Sequence, residues 1–253
     1  MFFPLFENTD AAKGTPLVRF LVLLNVAIYI VCMIFNQTFP LPDNHPLIQE
    51  YLANTTHVDP RGVTGYALYV YLFAFSPFSP TVTSSFLSLF LHSSLIHIFM
   101  NMYILMIFGG TVEKKIGPFW FVLIYFASGI LGNYATVLYH ASMAGNNLVG
   151  ASSALFGVLG THMVFAATHR VKTLVFLPPL VWQVVKLPSR LLFFYFFLLS
   201  NLLPFLASGV SKCAYIVHLA GFFFGIFGAG ILFFAIRYFP RSAVTPATPP
   251  ALS

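Results

Sequence analysis

Six long apolar stretches dominate this chain and restrict what it can fold into. A helix must contain about 20 mostly apolar residues to cross the hydrocarbon core of a bilayer. Only 7% of the residues are charged, whereas a soluble domain carries about 25%, so lipid is the expected solvent. The sequence therefore predicts an all-α polytopic membrane protein with six transmembrane helices. The expected spans are roughly 17–35, 86–110, 118–138, 148–166, 191–209 and 213–236.

Two further apolar runs, 66–75 and 174–185, are too short to cross and have prolines nearby. We expect them to lie in the membrane interface or to re-enter it. The last residues contain four prolines and are expected to be a disordered tail. The expected organisation is an N-terminal segment 1–16, a membrane domain 17–236 that includes a long loop 36–85, and the tail 237–253.

The basic residues predict the orientation of the helices. Cytosolic connections of membrane proteins carry the excess of Lys and Arg. With a cytosolic N-terminus, ten basic residues lie on the cytosolic side and only Arg61 and Lys212 lie on the other. We therefore expect both termini in the cytosol and the loop 36–85 in the lumen or exterior. The ten are Lys13, Arg19, Lys114, Lys115, Arg170, Lys172, Lys186, Arg190, Arg237 and Arg241.

The first residues also indicate which cellular membrane is expected to contain the protein. The segment before the first apolar run contains Glu7 and Asp10 and has neither the basic region of a cleavable signal peptide nor the composition of an Arg-rich transit peptide. The first span is then expected to act as its own signal anchor. This favours the secretory pathway (ER, Golgi or plasma membrane) or a bacterial-type plasma membrane over mitochondria.

Charge and cysteine content exclude other classes of function. The net charge is +6, but the basic residues sit in short connections and form no stripe that would follow a phosphate backbone. We expect no nucleic-acid partner. The two cysteines are not in a CxxC arrangement, so the zinc and redox signatures are absent from the sequence. Neither a metal nor an organic cofactor is expected.

Polar side chains of three predicted helices fall at a similar depth in one leaflet. With this topology, His92, His97 and Asn101 lie in the luminal half of the second span. Ser152 lies near the luminal end of the fourth, and His218 lies about five residues into the sixth. Polar and ionisable residues inside a membrane indicate a functional site by default. A shared depth across three helices strengthens that interpretation.

These residues suit nucleophilic catalysis. A serine hydroxyl is a weak nucleophile until a base takes its proton, and His218 is the candidate base for Ser152. Gly221 and Gly225 share one face of the sixth span, and small residues let membrane helices approach closely, as a Ser–His hydrogen bond requires. No acidic residue lies near this depth, so we expect a dyad and not a triad.

Acyl transfer also needs donors aimed at the developing oxyanion. His97 and Asn101 are four residues apart on one helical face. We expect their side chains to act with the backbone N–H of Ser152. A position near a helix N-terminus adds the favourable end of the helix dipole.

Simpler interpretations stay open for each residue. A Gly/Ala/Ser cluster is often only a packing motif in membrane helices, and a single histidine often only joins two helices by a hydrogen bond. His92 is expected to tie the luminal loop to the second span. A transporter or channel would place polar residues through both leaflets and often contains an internal repeat; the sequence shows neither.

In chain order, the polar motifs resemble those of the rhomboid intramembrane serine proteases. The similarity covers about residues 84–232. An isolated GxS is weak evidence, whereas an ordered set of motifs is specific. The matching segments are 92–102 (similar to HxxxxHxxxN), 108–117 (the turn between helices 2 and 3), 125–133 (helix 3), 150–153 (similar to GxSG) and 218–225 (similar to HxxGxxxG).

The resemblance implies a six-helix rhomboid-like bundle that acts as an intramembrane serine endopeptidase on transmembrane proteins. It implies Ser152 and His218 as the catalytic dyad, and His97 and Asn101 as oxyanion-stabilising side chains. An aromatic residue four positions after the serine packs near the catalytic histidine in the family, and Phe156 stands there. The implied supporting residues are Gly150, His92, Phe156 and Gly221.

Two positions depart from the family pattern. Ser153 stands where the serine motif has glycine, and Thr83-Ser84 stand where the family has a Trp-Arg pair before helix 2. The second departure concerns the first loop and not the dyad. The alternative interpretation is a rhomboid-like pseudoprotease that binds membrane-protein clients without cleavage. Such proteins usually lack the serine or the histidine, and both are present here.

Overall fold

The protein is mostly helical. The computed structural model describes residues 2–7, 15–38, 45–54, 63–138, 147–177, 181–198, 201 and 213–238. In chain order the elements are β1 (Phe2–Glu7), α1 (Pro16–Thr38), α2 (Pro46–Asn54), α3 (Gly65–Phe73), α4 (Val82–Ser88), α5 (Leu95–Ile104), a π-helical turn (Leu105–Gly109), α6 (Gly110–Ile116), α7 (Pro118–Ala135), α8 (Ser152–Ala166), β2 (Arg170–Leu177), β3 (Val181–Pro188), α9 (Ser189–Phe197) and α10 (Cys213–Tyr238).

Four helical segments in the described ranges are long and apolar enough to cross a membrane. They correspond to four of the six predicted spans. The other two predicted spans contain α8 and α9, and residues 202–212 lie outside the described part of the chain. The four segments are Pro16–Phe35, Leu95–Ile116, Pro118–Leu138 and Ala214–Tyr238.

The second spanning segment begins later than the sequence predicted. Helix α5, the π-helical turn and α6 follow one another without a break from Leu95 to Ile116, and the residues from Val82 to Ser88 form the separate helix α4. The side chain of Ser94 accepts a hydrogen bond from the His97 amide at 3.2 Å, which caps α5 at its start. The expectation of one helix over 86–110 is therefore wrong at its N-terminal end, and the loop before α5 contains His92.

Helix α8 lies at the centre of the bundle, against α7 and α10. Ten of its 15 residues are buried. A side chain on Gly225 would place its Cβ 2.0 Å from the Gly157 carbonyl oxygen, and one on Gly221 would lie 2.2 Å from that of Ser153. The backbones of α8 and α10 are thus in direct contact. Because protein surrounds α8, it can be shorter than a helix that crosses lipid alone.

Strands β2 and β3 follow α8 and pair with the N-terminal strand in a three-stranded antiparallel sheet, in the order β1-β2-β3. Val171, Thr173 and Val175 of β2 are buried, and the residues between them are not. This alternation of β-branched residues is typical of a half-buried strand. The expectation of an all-α protein is therefore wrong, because most of the run 174–185 belongs to a β-hairpin and the N-terminal segment contributes β1.

Glu113 joins the second spanning segment to the start of the first. Its two carboxylate oxygens accept hydrogen bonds from the amides of Leu17 at 3.2 Å and Val18 at 3.0 Å. The Glu113 side chain is buried. A carboxylate at a helix N-terminus satisfies amides that have no partner in the helix and opposes the helix dipole. The start of α1 is thereby held against α6.

Candidate active site

Ser152 is the first residue of α8. The chain reaches it through Gly150, whose φ of +119° strongly favours glycine. The Gly150 amide donates a hydrogen bond to the Ser88 carbonyl at 2.9 Å. This contact fixes the approach of the chain to α8. The Ser152 amide is among the first N–H groups of the helix, for which the helix itself provides no acceptor.

A polar network between α4 and α7 supports this approach. The side-chain amide of Asn133 donates to the Ser88 hydroxyl at 3.0 Å and to the Ser85 carbonyl at 3.2 Å. The Ser85 hydroxyl in turn donates to the Ile130 carbonyl at 3.3 Å. All three polar side chains are buried. The turn before Ser152 therefore rests on a segment that is hydrogen-bonded into the bundle.

His97 and Asn101 lie on the face of α5 that meets this turn. The Ser93 hydroxyl is 3.0 Å from His97 Nδ1, so the other ring nitrogen is the one near the turn. A Cβ built on Gly150 would lie 2.7 Å from His97 Nε2 and 3.6 Å from Asn101 Nδ2. Asn101 Nδ2 is buried and has no hydrogen-bond partner among the described residues. Both predicted oxyanion donors, His97 and Asn101, thus lie next to Gly150, which is two positions before Ser152.

His218 occupies the second turn of α10 and lies flat against Phe156. Their ring centroids are 4.4 Å apart, with an angle of 8° between the planes. Gly221, one turn further along α10, allows the close contact with the Ser153 carbonyl described above. The stacking of Phe156 on the histidine is the arrangement that the family resemblance implies.

One cavity of about 300 Å³ brings together the predicted dyad and both predicted oxyanion-stabilising side chains. Within the described residues, no hydrogen bond joins the Ser152 hydroxyl to His218. Catalytic hydrogen bonds are often long in a free enzyme and tighten when substrate binds. The cavity is lined by Ser152, His218, His97, Asn101, Asn201 and Phe156, and by the apolar side chains of Met100, Ile104, Leu155 and Leu159.

Asn201 is a cavity residue that the sequence analysis did not identify. Its Oδ1 lies 2.6 Å from His218 Nδ1, and only 1% of its surface is exposed. The available signal was a single asparagine within the apolar run 191–209. A dyad was expected because no acidic residue lies near this depth, and an asparagine can also accept a hydrogen bond from a histidine. The expected pair of Ser152 and His218 therefore has a third polar neighbour.

Ser153, which replaces the glycine of the serine motif, is accommodated by a hydrogen bond. Its side chain is fully buried, and its hydroxyl donates to the Gly129 carbonyl of α7 at 3.0 Å. The added hydroxyl thus has a partner, as a buried polar group requires.

His92 lies beside the cavity and not in its lining. Its ring centroid is 5.1 Å from that of His97, and its Nδ1 is 3.3 Å from the Phe90 carbonyl oxygen. It contacts the loop and the ring of His97, so it is placed to position that ring. Across the described residues, no group of three His, Cys, Asp or Glu side chains is arranged as a metal-ligand set.

Comparison with known proteins identifies similar sequences. The family model described as "Rhomboid domain" matches residues 79–235. "Rhomboid-like protease 1" of Toxoplasma gondii is 33% identical over 151 residues, which are 58% of this chain and 45% of that protein. "Putative rhomboid protease YdcA" of Bacillus subtilis is 34% identical over 73 residues, 29% of this chain and 36% of that protein.

A third relative bears a different description. "Inactive RHOMBOID-like protein 8" of Arabidopsis thaliana is 36% identical over 70 residues, which are 28% of this chain and 19% of that protein. The matched region therefore spans less than half of the length of each of these three relatives. Similarity extends to proteins described as proteases and to one described as inactive.

Proposed function

This chain belongs to the rhomboid family, whose domain covers residues 79–235, and from that premise we propose that it is an intramembrane serine endopeptidase. Its apolar helices and its family make it an integral membrane protein. In the proposal Ser152 is the nucleophile and His218 is the general base. The observation that carries it is the single cavity shared by Ser152, His218, His97 and Asn101.

The proposed reaction is acyl transfer. The Ser152 hydroxyl attacks a peptide carbonyl carbon while His218 takes its proton. The tetrahedral intermediate collapses, the C–N bond breaks, and His218 gives the proton to the leaving amine. Water, activated by the same histidine, then hydrolyses the acyl-enzyme and releases the serine. The stacking on Phe156 at 4.4 Å keeps the plane of the imidazole fixed through these steps.

The negative charge that develops on the carbonyl oxygen needs preorganised donors. Asn101 Nδ2 supports this role because it is a buried donor without a partner in the described chain. His97 is held through its Nδ1 by Ser93, which leaves Nε2 near the turn before Ser152. The Ser152 amide at the start of α8 is the third proposed donor.

The proposed substrates are transmembrane segments of membrane proteins. Apart from its polar groups, the cavity is lined by aliphatic side chains such as Met100, Leu155 and Leu159, which suit an apolar residue beside the scissile bond. The ten-to-two distribution of basic residues supports both termini in the cytosol. The start of α8, and with it the site, then faces the luminal or exterior leaflet.

A pseudoprotease that binds membrane-protein clients is the second candidate. The absence of a Ser152–His218 hydrogen bond within the described residues favours it, as does the similarity to a relative described as inactive. Both candidates predict that transmembrane segments bind. They differ in whether Ser152 is reactive.

Labelling with a fluorophosphonate probe distinguishes the two. We expect detergent-solubilised protein to label, and Ser152→Ala and His218→Ala to abolish labelling, because the probe reacts only with an activated serine. Ser79→Ala changes an exposed serine outside the cavity and should label like the wild type. A folded wild-type protein that never labels would instead support the pseudoprotease.

A further inference from the structure

The contact between Asn201 and His218 selects one form of the imidazole. An amide oxygen can only accept, so a hydrogen bond from His218 Nδ1 to Asn201 Oδ1 at 2.6 Å requires the proton on Nδ1. A neutral imidazole carries a single ring proton, so Nε2 is then left as an acceptor. An acceptor nitrogen is what a general base needs in order to take a proton from a serine.

Asn201 and Phe156 restrict different motions of the same ring. Stacking at an interplanar angle of 8° fixes the plane of the His218 imidazole, but a half-turn about the Cβ–Cγ bond keeps that plane and exchanges the positions of Nδ1 and Cδ2. The hydrogen bond from Nδ1 to Asn201 opposes this flip because Cδ2 could not replace it. Asn201 is 1% exposed and lines the same cavity as Ser152, so water does not compete freely for the contact.

We propose that Asn201 is the positioning residue of the catalytic histidine, so that Ser152, His218 and Asn201 act as a triad. This inference rests on the proposed endopeptidase function. A neutral amide suits a membrane site because it accepts the Nδ1 proton without burying a carboxylate, whose charge is costly there. Proteases with a Cys–His–Asn site assign asparagine the same role.

A purely structural role for Asn201 makes different predictions. A polar side chain can join two membrane helices by a hydrogen bond, and its loss then lowers thermal stability without changing the tautomer of His218. A positioning role changes the tautomer and the reactivity of Ser152. The two roles are therefore separated by measurements other than stability.

The experiment compares wild type, Asn201→Leu, Asn201→Asp and Asn25→Leu as full-length proteins in detergent. Asn25 is a matched control because it is a buried membrane asparagine outside the cavity, whose amide donates to the Leu21 carbonyl of its own helix at 2.8 Å. We expect the fluorophosphonate labelling rate of Asn201→Leu to fall about tenfold or more, a part of the ~10²–10⁴-fold that a general base contributes. Asn201→Asp keeps an acceptor oxygen for Nδ1, as in a Ser–His–Asp triad, so it should retain most of the rate even though the buried carboxylate lowers its thermal stability. Asn25→Leu should label like the wild type.

The second readout is ¹⁵N NMR of ring-labelled histidine, with the His218 signals assigned from their loss in His218→Ala. The wild type should show a protonated Nδ1 and a bare Nε2, and Asn201→Leu should show a mixture of tautomers. A wild-type Nε2–H, or an Asn201→Leu variant that labels at the wild-type rate, overturns the proposal while the endopeptidase function stands. If Asn201→Leu does not fold, loss of labelling in folded Asn201→Asp overturns it. A wild type that never labels removes the proposed function itself, and with it the catalytic role of the contact.

Discussion

Gly150 has a backbone conformation that favours glycine, and it also lies directly against a side chain that lines the cavity. Its φ of +119° suits glycine, and its Cα faces the ring of His97 so closely that a Cβ would lie 2.6 Å from Cε1. Its amide also holds the chain to Ser88. One position therefore sets the direction of α8, the place of Ser152 and the space left for His97.

We expect Gly150→Ala to reduce fluorophosphonate labelling about tenfold or more, because displacing an oxyanion donor costs on the order of 10²-fold. The thermal unfolding temperature should fall as well, since the added methyl group meets the His97 ring. Gly117→Ala is the matched control, with a φ of +80° and nothing within 4 Å of the added Cβ. It carries backbone strain of about 1–3 kcal/mol without touching the cavity. If the two variants label equally, the contact with His97 does not matter for reactivity.

At the level of residues, candidate site residues were predictable where a polar side chain interrupts an apolar run. Ser152, His218, His97 and Asn101 stood out as polar groups in apolar runs at one depth, and the structure places them around one cavity. Their catalytic roles remain predictions. Asn201 was missed because its role depends on its distance from His218 in α10, which spacing along the sequence does not give. The hydrogen bond from Ser153 to α7 could not be predicted from the sequence for the same reason.

The contact between α8 and α10 makes a prediction at the scale of elements. We expect Gly225→Ala to destabilise the protein by about 1–3 kcal/mol or more, as overpacking does, because the Cβ would meet the Gly157 carbonyl oxygen at 2.0 Å. Backbone cannot move aside as a flexible side chain can. Gly230→Ala in the same helix meets nothing within 4 Å and should leave stability unchanged or slightly raise it. Thermal unfolding in detergent measures both, and equal midpoints would contradict close backbone packing.

Elements whose environment is lipid were the easiest to predict. Length and apolarity alone specify a spanning helix, and four predicted spans match candidate spans in the described chain. Helix α8 is shorter than predicted because protein replaces lipid around it. The strands within the run 174–185 were not predicted, because β2 pairs with β1, more than 160 residues earlier, and this pairing is not visible in the local sequence; the expected position of the run in the membrane interface stays a prediction.

Considered as a whole, the molecule has its cavity at the first half of α8, whereas β2 of the sheet begins shortly after that helix ends. That helix runs from Ser152 to Ala166, about 21 Å at 1.5 Å per residue. We expect replacement of residues 2–7 by a Gly–Ser segment of equal length to lower the thermal unfolding temperature by a few degrees, because β2 loses its partner while length is kept. Fluorophosphonate labelling at temperatures below unfolding should persist. Loss of labelling without a change in unfolding temperature would show that β1 acts on the site directly.

The pairing of Phe2 with Val175 in the β1–β2 ladder also imposes an order on biosynthesis. At about 5–20 residues per second, the ribosome makes β2 roughly ten to thirty seconds after β1. During this interval β1 has an open edge, which other chains can pair with. The strand finds its partner only after α8 has been synthesised, whereas α10, the helix that carries His218, is synthesised after β2, so the sheet can close before the cavity around Ser152 is complete.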